Sequence, residues 1–598
     1  MKYRWSILGR PTLPAGPESG GQPLPPLLAQ CLANRGIADP ESMERFLHPR
    51  LKDLADPFLL PQMEPAVARL IRARQENEAV TIFGDYDVDG VTSTALLFEF
   101  LTALGWRMNC FLPHRFDEGY GLTTEAVENC LKKIPAQLLL AVDCGSTATH
   151  TIEALSKKGI DVIILDHHQV SDPPPCAVAL VNPQLNRLRE TSPDSAARFT
   201  ELCSVGLAFK LAHALLKRAR ELGWPSARDF DLRPFLDLVA LGTIADIVPL
   251  KGENRILVTR GLERLNATSR PGLQALINVS QTKDTIGTYE VGFQLAPRLN
   301  AAGRIENAEI ALQLLLATDP GEAEKLALAL DTHNRERQKI ERGMSDELIG
   351  ALRARFNPQE DFVIVEGQLL WHIGVVGIVA SRVLQEFYRP TIIVGGDGTE
   401  WRGSGRSIEG FDLAAALRAC GDLLVRHGGH AMAAGLTVRS ENLDALRIRL
   451  NELARNSLTT EQLQPLLKLD SEVALGDLTL DAVTALEQLK PTGPGNPQVQ
   501  VVVRGLRNQK PPRRVGQQQQ HLKLWVTDGH CTVEAVWWNG AERPPEESFD
   551  LACHPQINEY NGRKAVQLKI LDWRPAVPSN AKTVSSNNQS SSTDSDQM

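Results

Sequence analysis

The chain has 598 residues, of which 42% are hydrophobic and 23% charged, with a formal net charge of −8. That length exceeds a single hydrophobic core and calls for roughly three to five domains, and the composition is that of a globular protein rather than a disordered one. The acidic balance alone argues against a nucleic-acid binder, but a basic groove can sit on an acidic body, and acidic metal-binding residues themselves lower the pI.

The first residues, Met1-Lys2-Tyr3-Arg4-Trp5, lack the apolar region of a signal peptide. No apolar stretch approaches the roughly 20 residues of a membrane span, so no membrane partner is expected. Nine scattered cysteines without a CxxC pair read as reduced thiols in a cytoplasmic protein.

Residues 1–61 form an N-terminal extension, Pro-rich at first and then helical in spacing. From about residue 62 apolar runs alternate with helical stretches, the pattern of a parallel α/β sheet. Its strands are Ala79-Val80-Thr81-Ile82-Phe83, Gln137 to Val142 and Ile160 to Leu165, within a domain reaching to residue 320. Residues 321–356 have few breakers and read as one long connecting helix or two joined ones. A second α/β pattern spans 357–458. Short alternating runs at 466–576 predict a small β-barrel. The Ser/Asn/Gln-rich tail 577–598 is expected to be disordered.

The chemistry-bearing residues fall at the ends of the predicted parallel strands. The first strand runs into Gly84-Asp85-Tyr86-Asp87-Val88-Asp89-Gly90, the second into Asp143-Cys144-Gly145 and the third into Asp166-His167-His168. Open parallel sheets bind ligands at the carboxyl ends of their strands. Carboxylates crowded there repel one another and need cations. Asp246, between apolar neighbours in Leu241 to Pro249, needs a partner or a metal. Each piece alone also reads blandly, as an acidic turn, a surface His pair or a helix cap. Together, in this order, they favour a metal site.

These four motifs resemble those of the DHH phosphoesterase superfamily. The runs Pro113 to Gly121, Ala296 to Arg304, Trp371 to Arg382, Gly403 to Ser407 and Gly428 to Gly435 are similar to its larger branch of exonucleases acting on single-stranded DNA. The resemblance covers about residues 20–575. It implies an α/β multidomain protein: a parallel-sheet DHH domain, a DHH-associated α/β domain, a long helix between them and a C-terminal OB-fold. It implies two ions, Mn²⁺ or Mg²⁺. Asp89, Asp143, His167 and Asp246 would hold one, and Asp85, Asp87 and Asp143 the other. Many superfamily members carry His where this chain has Phe83, which would weaken the second site. In an extended segment the side chains of His167 and His168 would point apart, leaving His168 to stabilise charge on the phosphoryl group.

Arg304, Arg406, Ser407, Gly429 and His430 are expected to bind DNA phosphates, with glycines letting the backbone approach an anion and Arg406 offering a bidentate fork. The glycine runs read equally as ordinary turns. Arg335, Arg337, Lys339 and Arg342 either line a DNA path or form a solvated helix face. One or two of Trp525, Trp537, Trp538 and Tyr560 would stack on bases. The activity implied is 5′→3′ hydrolysis of single-stranded DNA to 5′-mononucleotides in recombination and repair, by a monomer working with a helicase and a single-strand-binding protein. A phosphodiesterase for small molecules or oligoribonucleotides is the enzymatic alternative. An inactive DNA-bound scaffold is the other, although its ligand set would be eroded.

Overall fold

The computed structural model describes residues 3–9, 18–19, 22–114, 118–119, 121–185, 199–282, 285–396 and 398–576. The expected disordered tail lies outside the described residues, as do Arg115, Phe116, Asp117 and Tyr120 of the Pro113 to Gly121 motif.

The first sheet is wholly parallel. Its strands are β1 (Ala79–Gly84), β2 (Arg107–Phe111), β3 (Leu138–Val142), β4 (Asp161–Leu165) and β5 (Ala179–Val181), in the spatial order 2-1-3-4-5. Every residue of β1 and β3 is buried, because helices and loops cover both faces of a crossover-connected sheet. One face packs into a cluster with Val91, Leu96, Phe100, Leu207 and Leu211. The other packs with Val127, Ile152 and Leu155. In this strand order the switch point falls between β1 and β3, where the loops diverge and leave a crevice.

A single helix, Pro320–Arg355, leads out of this domain. At about 1.5 Å per residue it is roughly 54 Å long. Its first half buries Ala323, Ala327 and Leu330 against the first sheet's core. Its second half buries Met344, Leu348 and Leu352 against the next domain.

The second sheet contains β6 (Ile364–Leu369), β7 (Thr391–Gly396), β8 (Glu400–Arg406), β9 (Leu424–Gly429) and β10 (Ala433–Arg439), in the order 9-10-8-7-6. The run Gly403 to Ser407, read from sequence equally as a turn, is strand through Arg406, whereas the run from Gly428 does turn, between β9 and β10. Glycine is required by close packing: a Cβ on Gly403 would sit 2.3 Å from Val394 Cγ1, and one on Gly405 2.5 Å from Leu413 Cδ2.

The C-terminal sheet contains β11 (Ser471–Glu472), β12 (Val501–Asn508), β13 (Arg513–Val515), β14 (His521–Thr527), β15 (Thr532–Trp537), β16 (Ser548–Tyr560) and β17 (Arg563–Pro575). Its order is 11-12-16-17-15-14-13, and a short pairing of Arg507 and Asn508 with Thr527 and Val526 curls it back on itself. The N-terminal residues pack here. Leu28, Leu32 and Met43 share one core with Val501, Leu524 and Phe549, and the strand Arg4–Ile7 pairs in parallel with Leu466–Leu469. The 13-residue β16 escapes a sequence reading because Asp550, His554 and Pro555 interrupt its apolar pattern.

Candidate metal centre

Three carboxylate-bearing segments meet at the switch point. The β1 loop turns at once into the helix Val88–Ala103, whose N-cap Asp87 accepts a hydrogen bond from Gly90 N at 3.1 Å. Gly90 permits this tight turn: a Cβ there would lie 2.5 Å from the Asp85 carbonyl oxygen. Asp89, in the first turn, is 2% exposed and accepts from Ser204 N and Val205 N at 2.7 and 2.8 Å. Next door, Asp143 ends β3 with φ +64°, a left-handed conformation Asp tolerates better than most residues. Its Oδ1 accepts from Ser204 Oγ at 2.8 Å.

His167 lies among them. Its Nε2 is 3.6 Å from Asp143 Oδ1, 3.6 Å from Asp246 Oδ2 and 3.9 Å from Asp89 Oδ2. Asp246 is the C-cap of the helix Leu236–Ala245. An acidic residue there opposes the helix dipole, so this placement costs stability unless a cation is near. Ligand atoms of Asp85, Asp87 and Asp143 form a second group, all within 4.8 Å of one another. The structure thus brings together all six residues expected as ligands. Phe83 is fully buried with its ring 5.5 Å from that of Phe111, so that position supplies packing only.

Two observations test whether this donor set suits divalent ions. His167 Nε2 and Asp246 Oδ2 are buried and make no hydrogen bond. Two atoms each about 2.1 Å from one ion lie at most about 4.2 Å apart, which the His167 distances satisfy. Charge crowding agrees. Burial, then repulsion from Asp89, Asp87, Asp85 and Asp246, pushes the Asp143 carboxyl well above the usual range. Burial, then Asp89 and Asp87, pushes Asp246 up to about 9. Oxygen-rich sites with one imidazole suit Mn²⁺ and tolerate Mg²⁺.

His168 departs from expectation. The rings of His167 and His168 do not point apart; their centroids are 4.4 Å apart. The segment is a turn rather than a strand, because Asp166 Oδ1 accepts from His167 N at 2.8 Å and His168 N at 3.2 Å. The same oxygen meets His168 Nδ1 at 2.7 Å. Burial opposes the charged imidazole, but the Asp166 hydrogen bond and charge overcome it, so His168 is pushed up to about 9. Burial likewise opposes the Asp166 carboxylate, yet His168 and Ser146 hold it far below its usual value. Asn182 braces the turn by donating to His168 O and Ser146 Oγ. Sequence reasoning does not reach the roles of Asp166, Ser204 and Asn182. Asp166 alone carries a signal, its place in the Asp-His-His run.

Of the expected phosphate contacts, Arg304 and Arg406 both reach the segment Gly374 to Gly377, and Ser407 lies beside the turn that holds His430. Arg304 ends the helix Ala296–Ile305 and donates from Nη1 to Gly374 O at 3.0 Å, joining the first domain to the second. In the same helix Gly303 abuts Tyr86 of the β1 loop. Arg406 donates from Nη1 to Ser404 Oγ and Gly405 O at 2.8 and 2.9 Å, beside Gly377 in the first turn of the helix Val376–Phe387. Ser407 is 5% exposed and donates to Phe411 O at 2.7 Å, so its hydroxyl is a structural donor. Gly429, at φ +133°, and the exposed His430 form the turn between β9 and β10. On the long helix Arg335 pairs with Asp331, and Arg337 with the buried Glu341. Of the four aromatics, Trp538 and Tyr560 are 55% and 73% exposed. Trp525 lies under Lys510 Nζ at 3.5 Å, and Trp537 is half-buried against Gly540.

A parallel sheet with this cluster at its switch point, followed by a second α/β domain, defines a DHH-type phosphoesterase. Profiles of the DHH family N-terminal domain, the DHHA1 domain and the RecJ OB domain match residues 79–243, 360–456 and 469–572. The chain is 39% identical over 554 residues to the single-stranded-DNA-specific exonuclease RecJ of Bacillus subtilis, covering 92% of this chain and 68% of that one. Its structure resembles RecJ of Thermus thermophilus in complex with Mn²⁺, with a TM-score of 0.80 and 30% identity, over 96% of this chain and 80% of that one. The Mg²⁺ complex of the same protein gives a TM-score of 0.75 at 29% identity, over 96% and 79%. The chain belongs to the RecJ family.

Proposed function

We propose that this chain is a Mn²⁺- or Mg²⁺-dependent exonuclease that hydrolyses single-stranded DNA 5′→3′ to 5′-mononucleotides in recombination and repair. The observation that carries the reading is Asp143. Its carboxylate sits in both clusters of ligand atoms, in a chain that matches the single-stranded-DNA exonucleases over nearly its whole length. Asp89, Asp143, His167 and Asp246 would hold one ion, and Asp85, Asp87 and Asp143 the second. Two divalent ions so held supply Lewis acidity and lower the pKa of a bound water. Asp166 fixes the His168 ring through Nδ1 and favours its protonated form, so His168 would stabilise negative charge on the phosphoryl oxygens. Arg406 would hold the strand's terminal phosphate, with Arg304, Gly429 and His430 along the path.

With single-stranded DNA as substrate, the protein would act in the cytoplasm, as a monomer, on strands opened by a helicase and covered by a single-strand-binding protein. No helix among the described residues is long and apolar enough to cross a membrane. The test is incubation of the purified protein with Mn²⁺ and end-labelled single-stranded DNA, a short RNA or a cyclic dinucleotide. Mononucleotide release from the 5′ end of DNA is expected. Preferential cleavage of the dinucleotide, or of none of the three, would sink the reading.

A further inference from the structure

Cys203 is a thiol that the proposed reaction leaves unused. It is fully buried, as the N-cap of the helix Ser204–Glu221. A buried free cysteine ordinarily behaves as a small hydrophobe. Cys144, beside Asp143 in the chain, is of that kind: it packs with Phe83, Val127 and Ile152 and, among the described residues, joins no group of ligand atoms. Cys203 differs. Its Sγ and carboxylate oxygens of Asp89 and Asp246 all lie within 4.8 Å of one another. An oxygen and a sulfur ligand of one ion stand at most about 4.4 Å apart, so shifts of about 0.4 Å would bring all three onto one centre.

The thiol is held there from two sides. The residues that follow it, Ser204 and Val205, donate their backbone N–H groups to the two oxygens of Asp89. Its Sγ donates to Thr243 Oγ1 at 3.6 Å, three residues before Asp246 in the chain. A second observation is independent of the thiol. His167 Nε2 and Asp246 Oδ2 are buried, make no hydrogen bond and lie 3.6 Å apart. That is close to the separation of about 3.4 Å between two ligands of a tetrahedral ion.

The donor types choose the ion. Mn²⁺ and Mg²⁺ favour oxygen, whereas a thiolate favours softer ions, Zn²⁺ among them. We infer that the metal centre contains a second, zinc-selective ligand set, Asp89, His167, Cys203 and Asp246, in which the Cys203 thiolate takes the place that Asp143 holds toward Mn²⁺. Zn²⁺ replaces the thiol proton, which leaves to solvent, and no electron is transferred. Four protein ligands close the tetrahedron and leave no open position for water or substrate. Asp143 no longer joins the two ions, so zinc inhibits cleavage. This rests on the proposed assignment of Asp89, His167 and Asp246 to one ion.

The test titrates metal-free wild type, Cys203→Ala and Cys203→Ser with Co²⁺, a substitute for Zn²⁺ whose thiolate complexes absorb in the near ultraviolet. Wild type is expected to gain a sulfur-to-cobalt band that Zn²⁺ abolishes, and neither variant should gain it. In a second arm each protein cleaves single-stranded DNA at fixed Mn²⁺ and rising Zn²⁺, with its own rate in Mn²⁺ alone as reference. The Zn²⁺ concentration that halves the rate should rise at least about tenfold in Cys203→Ala. No band in wild type, a band that persists in Cys203→Ala, or an unchanged half-inhibiting concentration overturns the inference. If Cys203→Ala shows no melting transition, Cys203→Ser carries both readings. If wild type cleaves no DNA, the exonuclease reading has failed, and the cobalt band alone decides the ligand set.

Discussion

The first sheet and the C-terminal sheet solve different problems. Strand β3 is buried at every residue, whereas β14 alternates between buried and half-buried positions. Continuous burial on both faces leaves a strand only its ends for function. It also holds those ends rigidly, which a cluster of repelling carboxylates requires. Alternation gives β14 a face. On it Lys523 and Trp525 stand near Lys510, and His521 meets the exposed Trp538 with ring centroids 4.7 Å apart. Under the proposed function, chemistry belongs to the strand ends of the fully buried sheet and part of strand capture to the half-exposed face of the other.

This contrast is most directly broken at Asp143. Asp143→Ala removes the carboxylate common to both ligand groups, and cleavage should fall by at least about a thousandfold, some 4 kcal/mol of barrier. A rate within about tenfold of wild type, measured at saturating DNA and Mn²⁺, would refute the shared-ligand assignment.

Proton linkage sharpens the same point without mutation. The Asp246 carboxyl, pushed up to about 9, must lose its proton to hold an ion. Mn²⁺ affinity should therefore rise by at least about tenfold per pH unit between pH 7 and 9, since Asp143, also raised, releases a proton too. Without metal the sign reverses for stability. The folded chain keeps on Asp246 a proton that the unfolded chain gives up near pH 4. His168, raised to about 9, likewise stabilises the fold fully below about pH 6.5 and loses that contribution by pH 9. The metal-free melting temperature should thus fall from pH 6.5 to 9, and Mn²⁺ should restore it most at the alkaline end. Calorimetric titration and thermal melts at several pH values check both.

Arg406 probes the second domain. Removing charge-assisted hydrogen bonds worth about 1.5–3 kcal/mol, Arg406→Ala should lose most of any preference for a 5′-phosphorylated over a 5′-hydroxyl strand while still binding Mn²⁺. A mutant with the full preference would shift the role to Arg304. The smallest effect is expected on the C-terminal sheet. Trp538→Ala should weaken DNA binding about fivefold, the low end for one stacked base, and leave the saturated rate near wild type. A collapse of that rate with unchanged affinity would undo the division between the sheets. Deleting everything from Leu466 is a poorer test, because Leu28, Leu32 and Met43 would lose their core.

The sequence by itself determined the parallel sheet, the long helix and the acidic and histidine residues. Buried strands are unbroken apolar runs, and the residues just beyond their carboxyl ends must face the crevice. Asp85, Asp87, Asp89, Asp143 and His167 were legible for that reason, and Asp246, which caps a helix, as a lone carboxylate between apolar neighbours. Only the tertiary structure decided which atoms meet. Ser204 reaches Asp143 from 61 residues away in the chain, and no local pattern marks it. The turn at Asp166 that swings His168 beside His167 depends on one carboxylate accepting two backbone N–H groups, which residue order does not reveal. The glycines of β8 read as a loop because their cause, the side chains of Val394 and Leu413 pressing on the strand, lies on other elements. Periodicity records what a residue's own element needs; contacts between elements are set by packing, and packing is not written locally.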